Sequence, residues 1–576
     1  MPDYDIQELE LVRRLDARLC PVLAVLFFAF VVDRGTVFAA RITHHTTHAG
    51  AQLDLGASDA AFVLALVAYG ISSIICVFPS TFALRKYGPA RWIGAMAVGS
   101  GFVTACTAAS QNLAGWVVSK VVLGALQAGF FSGVMLYILS FYTREEWATR
   151  MSWIVSSATM GVSFLGVFAD WGAQFDGMHG LDTWRWMYVC NGVLSMAAGT
   201  AAFVFLPNYP ETTVFLTPAD RVLAVARGHD GSEGGGAAGH ESDDEPPARA
   251  HLAKPKPPRV TFASGQLVEA ICDARNWLFT ASFCFVSVTM DVLVTLGPQV
   301  AATSFGITSA FLAANRDDPD KIADAIEDVE TGTRHARIIA AGPYFIGGLA
   351  AFITAWNSDR TGDRALHATI PLLVSSLGLA MLAFIPASAA GAGPWRYFLG
   401  LLPATSGIVA AYPCLLSYAL DKAQGDTARV AVAALTFSFG QAFSPAVASP
   451  GSFLLLDASS PSVHAVGAGV CAFGTAFSAF CVLLIRWLYR REETQMWGKG
   501  PGLRRLLNDA DEGKAWDVEL SQADVFENDL GSKKKNGGGI TAGKVVRANR
   551  KASGFWQRDQ QDTGDSDWDL QEYASR

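Results

Sequence analysis

Long apolar runs alternate with short polar stretches along most of the chain. Six such runs precede a polar break at residues 207–275, and six follow it. About twenty apolar residues are enough for an α-helix to cross the hydrocarbon core of a bilayer. The pattern therefore predicts an all-α membrane protein with twelve transmembrane helices in two six-helix pseudo-repeats. The predicted spans are Leu19–Thr36, Ala60–Leu84, Trp92–Ala109, Leu113–Phe141, Met151–Ala169, Trp186–Leu206, Trp277–Ala301, Ile338–Trp356, Ala365–Ile385, Tyr397–Leu420, Val430–Val447 and Val466–Tyr489.

The same pattern divides the chain into five parts. The central linker contains a Gly-rich and then a Pro-rich stretch, a composition typical of flexible and then stiffer linkers. The tail is polar, Gly-rich and charged, which predicts disorder. The five parts are an N-terminal segment (1–18), a first helical bundle (19–206), the linker (207–275), a second bundle (276–490) and the tail (491–576).

Lys and Arg are unevenly distributed among the predicted loops. They are concentrated after the second, fourth, eighth and tenth runs, whereas the alternate loops are poor in them. Because basic loops stay on the cytoplasmic side, both termini and the linker are predicted to be cytoplasmic. The loop at residues 303–337 is an exception, because it carries both basic and acidic residues. Long loops cross the membrane largely regardless of their charge, so this loop does not change the predicted orientation.

Composition supports a membrane protein. Hydrophobic residues make up 51% of the chain and charged residues 17%, and the mean hydropathy is +0.27, which is too apolar for a soluble domain. The nine cysteines are scattered without a CxxC pair, so we interpret them as small hydrophobic residues. No cleavable signal peptide is expected, because the first run carries Asp33 and Arg34 and lacks a small-residue cleavage pattern.

The fourth run combines an apolar length with polar chemistry. Lys120 and Gln127 lie inside it, and Gly129 and Gly133 follow with a spacing of four. A charge inside a membrane span costs about 2.5–3.5 kcal/mol on the insertion scale, so it normally faces a cavity or a partner. The glycine spacing predicts close approach by another helix.

The loops that follow the second run of each half are alike. Leu84–Arg91 and Asn357–Arg364 both form basic, Gly-containing loops at equivalent places. Two repeats with a substrate site between them near the midplane are the arrangement of major facilitator transporters.

Further motifs resemble one family within that superfamily. They are Arg14–Arg18 followed by Val32–Arg41, Leu123–Gly133 (LGALQAGFFSG), Tyr142–Arg150 (YTREEWATR), Trp184–Trp186, Leu206–Pro210 with Phe215–Thr217, and Asp359–Arg364 (DRTGDR). In this order and spacing, over about residues 12–490, the chain resembles the fungal anion:cation symporters, the group of allantoate, nicotinate, pantothenate and biotin permeases. The resemblance implies a plasma-membrane importer of organic anions.

The chain departs from this family in its fourth helix. Where the family has Glu, Arg and Pro, this sequence has Gln127, Lys120 and Ser132, and the Asn of the first helix is Thr36. If the family's Glu carries a proton, Gln127 cannot do so. Coupling would then depend on another acid or be lost.

An anion entering a membrane site needs a buried cation and hydrogen-bond donors in place of water. Arg34 and Lys120 are the candidate cations. Asp33 could pair with either, and its protonation would free the cation for substrate. The alternative is a structural ion-pair cluster. Asp291 is a second candidate proton carrier, with pore hydration or a helix-pair hydrogen bond as its alternative.

The remaining candidates line the pocket or control its access. The candidate polar pocket residues are Gln127, Tyr69, Tyr344, Tyr412 and Gln441, although each such residue alone is more often a packing residue. A gating role is predicted for Arg85, Asp359, Arg360 and Arg364, with a topology-setting loop as the alternative.

These observations favour a secondary transporter that imports a small organic anion, coupled to protons, by alternating access. The alternatives are an uncoupled facilitator and a non-transporting nutrient sensor or scaffold, suggested by Gln127 and the long tail. An enzyme is not expected because no catalytic constellation occurs, and no cofactor or nucleic acid is expected. The expected partners are the anion, the proton and the bilayer, with a monomeric carrier. His44 and His48 could bind a metal on a helix but have no further ligand, so no metal site is predicted.

Overall fold

The computed structural model describes residues 6–42, 51–230, 264–304, 341–384, 395–423, 425–442, 444–448 and 461–498. Throughout these ranges the chain is helical apart from turns and short connections. His44 and His48, most of the loop at 303–337, the Gly- and Pro-rich part of the linker and nearly all of the tail lie outside the described residues.

Seven longer helices form the first half, because the fourth apolar run is divided at Ala128 and Gly129. Asn112 caps the first part of that run by accepting a hydrogen bond of 2.8 Å from the Gly115 amide. The helices are α1 (Ile6–Ile42), α2 (Asp59–Tyr87), α3 (Pro89–Thr107), α4 (Leu113–Gln127), α5 (Phe130–Phe141), α6 (Trp147–Ala173) and α7 (Thr183–Phe205).

The second half follows two linker helices, α8 (Pro218–Asp230) and α9 (Ser264–Cys272). Its helices are α10 (Ala274–Ser304), α11 (341–361), α12 (Arg364–Phe384), α13 (Trp395–Lys422), α14 (Asp426–Gln441), α15 (Ser444–Ala448) and α16 (Pro461–Gly498). Met1–Arg486 form one compact unit, and Trp487–Arg576 form a second one, of which the structure describes the end of α16. The five-part division stays a prediction.

Ten helical segments in the described part of the chain are long and apolar enough to cross a membrane. Large apolar side chains point outward from them, such as Leu64, Ile370 and Phe473, as expected for helices that meet lipid rather than water. The prediction of an all-helical membrane protein is therefore confirmed. The third and eighth predicted runs correspond to α3 and α11. These two helices are not among the ten apolar segments, so the count of twelve crossings stays a prediction.

Small residues allow α5 to approach α2 closely, as the glycine spacing predicts. A Cβ atom at Gly129 would lie 2.1 Å from the Ser80 hydroxyl, and one at Gly133 would lie 2.5 Å from a methyl group of Leu84. At Gly129 the clash extends to the Ser80 Cβ atom at 2.6 Å, so a side chain there would push the helices apart, whereas the Leu84 methyl group opposite Gly133 would have to shift. The same device brings α3 and α7 together, where a Cβ on Gly101 would lie 2.7 Å from the Gly192 carbonyl oxygen.

Within the compact unit, both halves also pack against each other. α2 contacts α14 and α15, and α6 contacts α13. The Ser156 hydroxyl of α6 donates a 2.9 Å hydrogen bond to the Gly348 carbonyl of α11. These contacts leave a space between the halves that α1, α6, α10 and α13 surround.

Candidate functional site

A cavity lies between the two halves. Its walls come from α1 and α6 in the first half and from α10, α13 and α15 in the second. Most of the lining is apolar, and its charged side chains, among the residues that the structure describes, are Arg34 and Asp291. A small molecule bound here would contact both halves at once.

Arg34 and Asp291 form an ion pair across this cavity. The Arg34 Nη2 atom lies 3.3 Å from Asp291 Oδ2, with 15% and 17% of the two side chains exposed. The Ser444 hydroxyl also donates to Asp291 Oδ2. Tyr69 and Tyr412 are within electrostatic range of the Arg34 guanidinium. Residues from α1, α10 and α15 thus meet at one charged centre.

Asp33 faces the interior of the first half and does not pair with Arg34. Its carboxylate accepts hydrogen bonds from Thr104 Oγ1 (2.8 Å), Asn191 Nδ2 (2.9 Å) and Gln127 Nε2 (2.5 Å). Successive residues of an α-helix point about 100° apart, so adjacent Asp33 and Arg34 serve different environments. The predicted pairing of Asp33 with Arg34 is not made; three neutral donors hold the carboxylate, and Lys120 is the cation in electrostatic range.

Gln127 connects this buried carboxylate to Tyr69, which lies in electrostatic range of Arg34 but is not among the residues that line the cavity. Its Oε1 atom accepts a 2.9 Å hydrogen bond from the Tyr69 hydroxyl, while its Nε2 atom donates to Asp33. An amide can make both bonds at once because it carries a donor and an acceptor. The departure from the family's Glu therefore places a neutral bridge between Tyr69 and Asp33.

Lys120 is buried inside the first half and does not line the cavity. Its ammonium group donates a 3.4 Å hydrogen bond to the Tyr188 hydroxyl. It also lies 5.2 Å and 4.8 Å from the ring centroids of Trp116 and Tyr188, within the range of cation–π attraction. Asp33 is its electrostatic partner. The structure therefore does not bring the two predicted cations together at one anion site.

The other candidate pocket residues have different positions. Tyr412 lines the cavity. Tyr344 is buried within electrostatic range of Asp291. Gln441 is the last residue of α14, but its side chain lies outside the described residues.

Asp359 and Arg364 belong to a polar cluster, here called the latch, that joins the halves at one end of the bundle. Asp359 accepts hydrogen bonds from the backbone amides of Ala148 (3.2 Å) and Thr149 (2.7 Å) and from the Thr149 hydroxyl (2.7 Å). These groups form the first turn of α6, where a carboxylate satisfies free amides and complements the helix dipole. A carboxylate of the second half thus caps a helix of the first.

Arg364 and Arg144 complete the latch. Arg364 donates to the carbonyl oxygen of Arg144 and, at 3.0 Å, to that of Ser417. Arg144 lies 3.2 Å from a carboxylate oxygen of Asp421.

The two other predicted gating residues lie elsewhere: Arg360 is exposed and sits over the Trp356 ring of its own helix, and half-buried Arg85 lies near Tyr209.

Removal of the Asp359 carboxylate tests whether the latch closes this end of the bundle. The test uses a variant in which every other cysteine is replaced, so that buried Cys414 carries the only thiol. In this background, Asp359→Ala is expected to raise the rate of Cys414 labelling about tenfold. Loss of a helix cap costs about 1 kcal/mol, and the lost Arg364 contact at 3.7 Å adds to it. The measurement is labelling by a permeant maleimide, with exposed Glu145→Gln as the control. Equal rates in both variants would contradict a closing role.

An aromatic layer lies beside the cavity and was not predicted from the sequence. The ring centroid of Phe131, in α5, lies 3.9 Å from that of Phe437 and 6.2 Å from that of Tyr412. Both of these partners belong to the second half. Phe283 packs against the same two rings. Aromatic residues are common in every apolar run, so sequence alone carried no signal for which of them meet across the halves.

A buried ion pair ties the linker to the first half. Arg227 of α8 lies 2.8 Å from Glu146, and both side chains are less than a tenth exposed. Arg14 of α1 also reaches Asp220 of α8 at 2.9 Å. Glu146 immediately precedes α6, whose first turn Asp359 caps. The linker helix therefore contacts the segment that carries one side of the latch.

We expect Arg227→Ala to lower the thermal stability of the purified protein by several degrees. Breaking a buried pair by removing one partner typically costs about 3–5 kcal/mol, because the other charge is left uncompensated. Arg221→Ala, on the same helix, is the matched control and should leave the melting temperature nearly unchanged. The double variant Arg227→Gln with Glu146→Gln should recover part of the loss. Equal melting temperatures for the Arg227 and Arg221 variants would contradict the assignment.

Comparisons with known proteins agree with this architecture. The family profile described as Major Facilitator Superfamily matches residues 23–448. The chain is 25% identical over 410 residues to the MFS transporter prlL of a fungal species (strain NRRL 50135), covering 71% of this chain and 72% of that protein. It is 22% identical over 376 residues to a putative tartrate transporter of Agrobacterium vitis, covering 65% and 71%.

Further fungal relatives are matched over 38–45% of their own length. Among solved structures, the xylose transporter XylE of Escherichia coli is similar with a TM-score of 0.48 and 12% identity, covering 84% of this chain and 97% of that one.

Proposed function

The chain belongs to the Major Facilitator Superfamily, and on that premise we propose that it imports a small organic anion together with a proton. The observation that carries the proposal is the Arg34–Asp291 pair in the cavity between the halves. It offers a cation for a carboxylate and an acid that can neutralise or release that cation. The transporters among the relatives, one of them named for tartrate, are consistent with such a substrate.

The proposed topology has twelve crossings, with α3 and α11 added to the ten apolar spans, and both termini in the cytoplasm. The excess of Lys and Arg in alternate loops supports this orientation. The proposed location is the plasma membrane, as the resemblance to fungal permeases implies.

Arg34 binds the substrate carboxylate in this proposal. A guanidinium presents two parallel N–H donors that match the two oxygens of a carboxylate. In the described part of the cavity wall Arg34 is the basic side chain. Tyr412 supplies a hydroxyl on the same wall. Lys120 acts from inside the bundle, where its charge balances Asp33.

Asp291 couples this binding to a proton. When Asp291 takes up a proton from outside, its attraction for Arg34 weakens and the guanidinium becomes free for the substrate carboxylate. Substrate and proton then move inward together and leave on the cytoplasmic side, after which the Arg34–Asp291 pair forms again. Asp33 is the second candidate proton carrier, and its link to Tyr69 through Gln127 is the route by which it would sense the cavity.

Alternating access requires contacts that close the cavity at each end in turn. The latch of Asp359, Arg364, Arg144 and Asp421 serves the end that we assign to the cytoplasm. At the opposite end the contact between the halves is apolar: Ala446 belongs to one buried cluster with Phe62, Leu66 and Trp116. Release of one contact while the other holds would expose the cavity to one side.

An uptake assay in a permease-deficient yeast tests this function. We expect saturable uptake of at least one labelled carboxylate from a panel of nicotinate, pantothenate, allantoate, biotin and small dicarboxylates. Uptake should rise as the outside pH falls, because protonated Asp291 competes less for Arg34. Protein at the cell surface that takes up no member of the panel would count against an organic-anion carrier.

An uncoupled facilitator is the second candidate, and Gln127 favours it. The amide at this position cannot carry a proton, and the Asp33 carboxylate beside it is held by three neutral donors. A facilitator would equilibrate the anion across the membrane without accumulating it, and its uptake rate would not depend on the pH gradient. A sensor or scaffold would instead lose signalling without its tail, so deletion of residues 499–576 distinguishes it from a carrier that retains uptake.

A further inference from the structure

We infer that the cavity selects monocarboxylates with an apolar body over dicarboxylates and polyhydroxylated acids. This inference rests on the proposed function as an organic-anion carrier and narrows its substrate class. Its basis is the distribution of apolar, hydroxyl and charged groups on the described part of the cavity wall.

Apolar side chains cover both sides of the cavity away from its charged centre. Phe27 and Phe30 come from α1, Val155 and Val162 from α6, and Met290 from α10. Such a wall gains free energy by removing an apolar ligand surface from water. A ligand hydroxyl placed against it would lose its water without gaining a partner, which is unfavourable.

Two of the four hydroxyl groups on the described wall, those of Thr159 and Ser444, are engaged already, and Tyr412 supplies a third. Thr159 Oγ1 donates to the Ser156 carbonyl at 2.8 Å, and the Ser444 hydroxyl donates to Asp291 and approaches the Ser287 carbonyl at 3.2 Å. Ser287 differs, because its buried hydroxyl has no hydrogen-bond partner within the described residues. It lies one helical turn from Asp291, so it can donate to a carboxylate held at Arg34.

The charge of the cavity favours a monoanion. Arg34 provides one positive charge, and Asp291 provides a negative charge beside it. A second substrate carboxylate would meet either Asp291 or the apolar wall, and both are unfavourable for an anion removed from water. Lys120 cannot serve it from its position between Trp116 and Tyr188, inside the first half.

Small-molecule sites typically combine apolar walls with a few placed polar groups, and the described lining of the cavity has this composition. We therefore assign the carboxylate of the ligand to Arg34 and Ser287, and its ring or branched chain to the surface formed by Phe27, Phe30, Val155, Val162 and Met290.

Ligand-induced thermal stabilisation of the purified full chain tests the assignment without requiring transport. The probes are benzoate, phenylacetate and nicotinate in one class and succinate, tartrate and gluconate in the other. We expect the first class to bind at least about tenfold more tightly, a difference of about 1.4 kcal/mol. Phenylacetamide, which lacks the carboxylate, should not stabilise the protein. Equal or tighter binding of the second class would overturn the inference.

Matched variants locate the selectivity in the cavity. Val162→Thr keeps the side-chain shape but adds a hydroxyl to the apolar wall, so it should reduce the preference for apolar acids about tenfold. Val118→Thr, on the outward surface of α4, should not change that preference. Ser287→Ala should weaken all monocarboxylates several-fold without changing their order. An unchanged preference in Val162→Thr would place the selectivity elsewhere and overturn the assignment.

Uptake of the same acids distinguishes a failure of the proposed carrier function from a failure of the proposed cavity selectivity. Transport of succinate or tartrate in preference to phenylacetate supports an anion carrier but contradicts the apolar selectivity. Selective stabilisation by apolar monoacids without uptake of any acid contradicts the carrier function but supports the selectivity of the cavity. Failure of both classes to stabilise or enter contradicts both.

Discussion

Uptake of the transported acid should be lost when Arg34 is replaced by alanine. We expect a reduction of at least about thirtyfold at low substrate concentration, because removal of one partner of a buried charge pair costs about 2–5 kcal/mol. Arg34→Lys should retain part of the activity, since it keeps the charge but not the two-pronged donor geometry. The measurement is the initial rate of labelled uptake, normalised to the amount of protein at the cell surface.

The control for Arg34 lies on the same helix. Arg13 is exposed near the start of α1, so Arg13→Ala removes an arginine without touching the cavity and should leave uptake intact. Near-normal uptake by Arg34→Ala, at equal surface expression, would show that the carboxylate binds elsewhere. Lys120→Ala would then be the next variant to compare, because Lys120 is the other buried cation of the predicted set.

Replacing Asp291 with asparagine should remove the response to outside pH and prevent accumulation of substrate above its outside concentration. Asparagine cannot take up a proton, so the cycle of release and re-formation of the Arg34 pair is broken. In the natural protein we expect uptake to rise by at most about tenfold per pH unit of acidification, the limit for a single titrating group. Exchange of labelled for unlabelled substrate should continue in Asp291→Asn, because exchange needs no net proton movement.

Asp33→Asn is the comparison that identifies the proton carrier. If Asp291 carries the proton, Asp33→Asn should retain the pH response, although its overall rate will fall because the new amide meets the donors of Thr104, Gln127 and Asn191. Loss of the pH response in Asp33→Asn alone would assign the proton to Asp33. A natural protein that ignores pH would support the uncoupled facilitator.

The helices and their surroundings were largely predictable from the sequence. A bilayer requires every backbone polar group of a span to be satisfied within the helix, so long apolar runs have few alternative structures. The glycine pair Gly129 and Gly133 likewise predicted a close helix contact, which is made with Ser80 and Leu84. The hydropathy pattern underestimated the length of the first helix, which begins at Ile6 within a polar segment. Helical turns that are exposed to water carry no hydropathy signal.

The candidate site was predictable as a set of residues but not as an arrangement. Arg34, Asp291 and Asp33 stand out because a charge within a span is rare and needs a partner. Which partner each has depends on helix rotation and packing. A rotation of about 100° between adjacent residues sends Asp33 to three neutral donors and Arg34 to a carboxylate 257 positions away in the sequence.

The sequence by itself determined that this protein is an all-helical membrane protein, because hydrophobic length is a local property. Tertiary structure decided the rest. It separated Lys120 from Arg34, joined Asp359 to the first turn of α6 and left an apolar cavity around one ion pair. These outcomes depend on contacts between residues far apart in the chain, which a pattern of neighbouring residues does not encode.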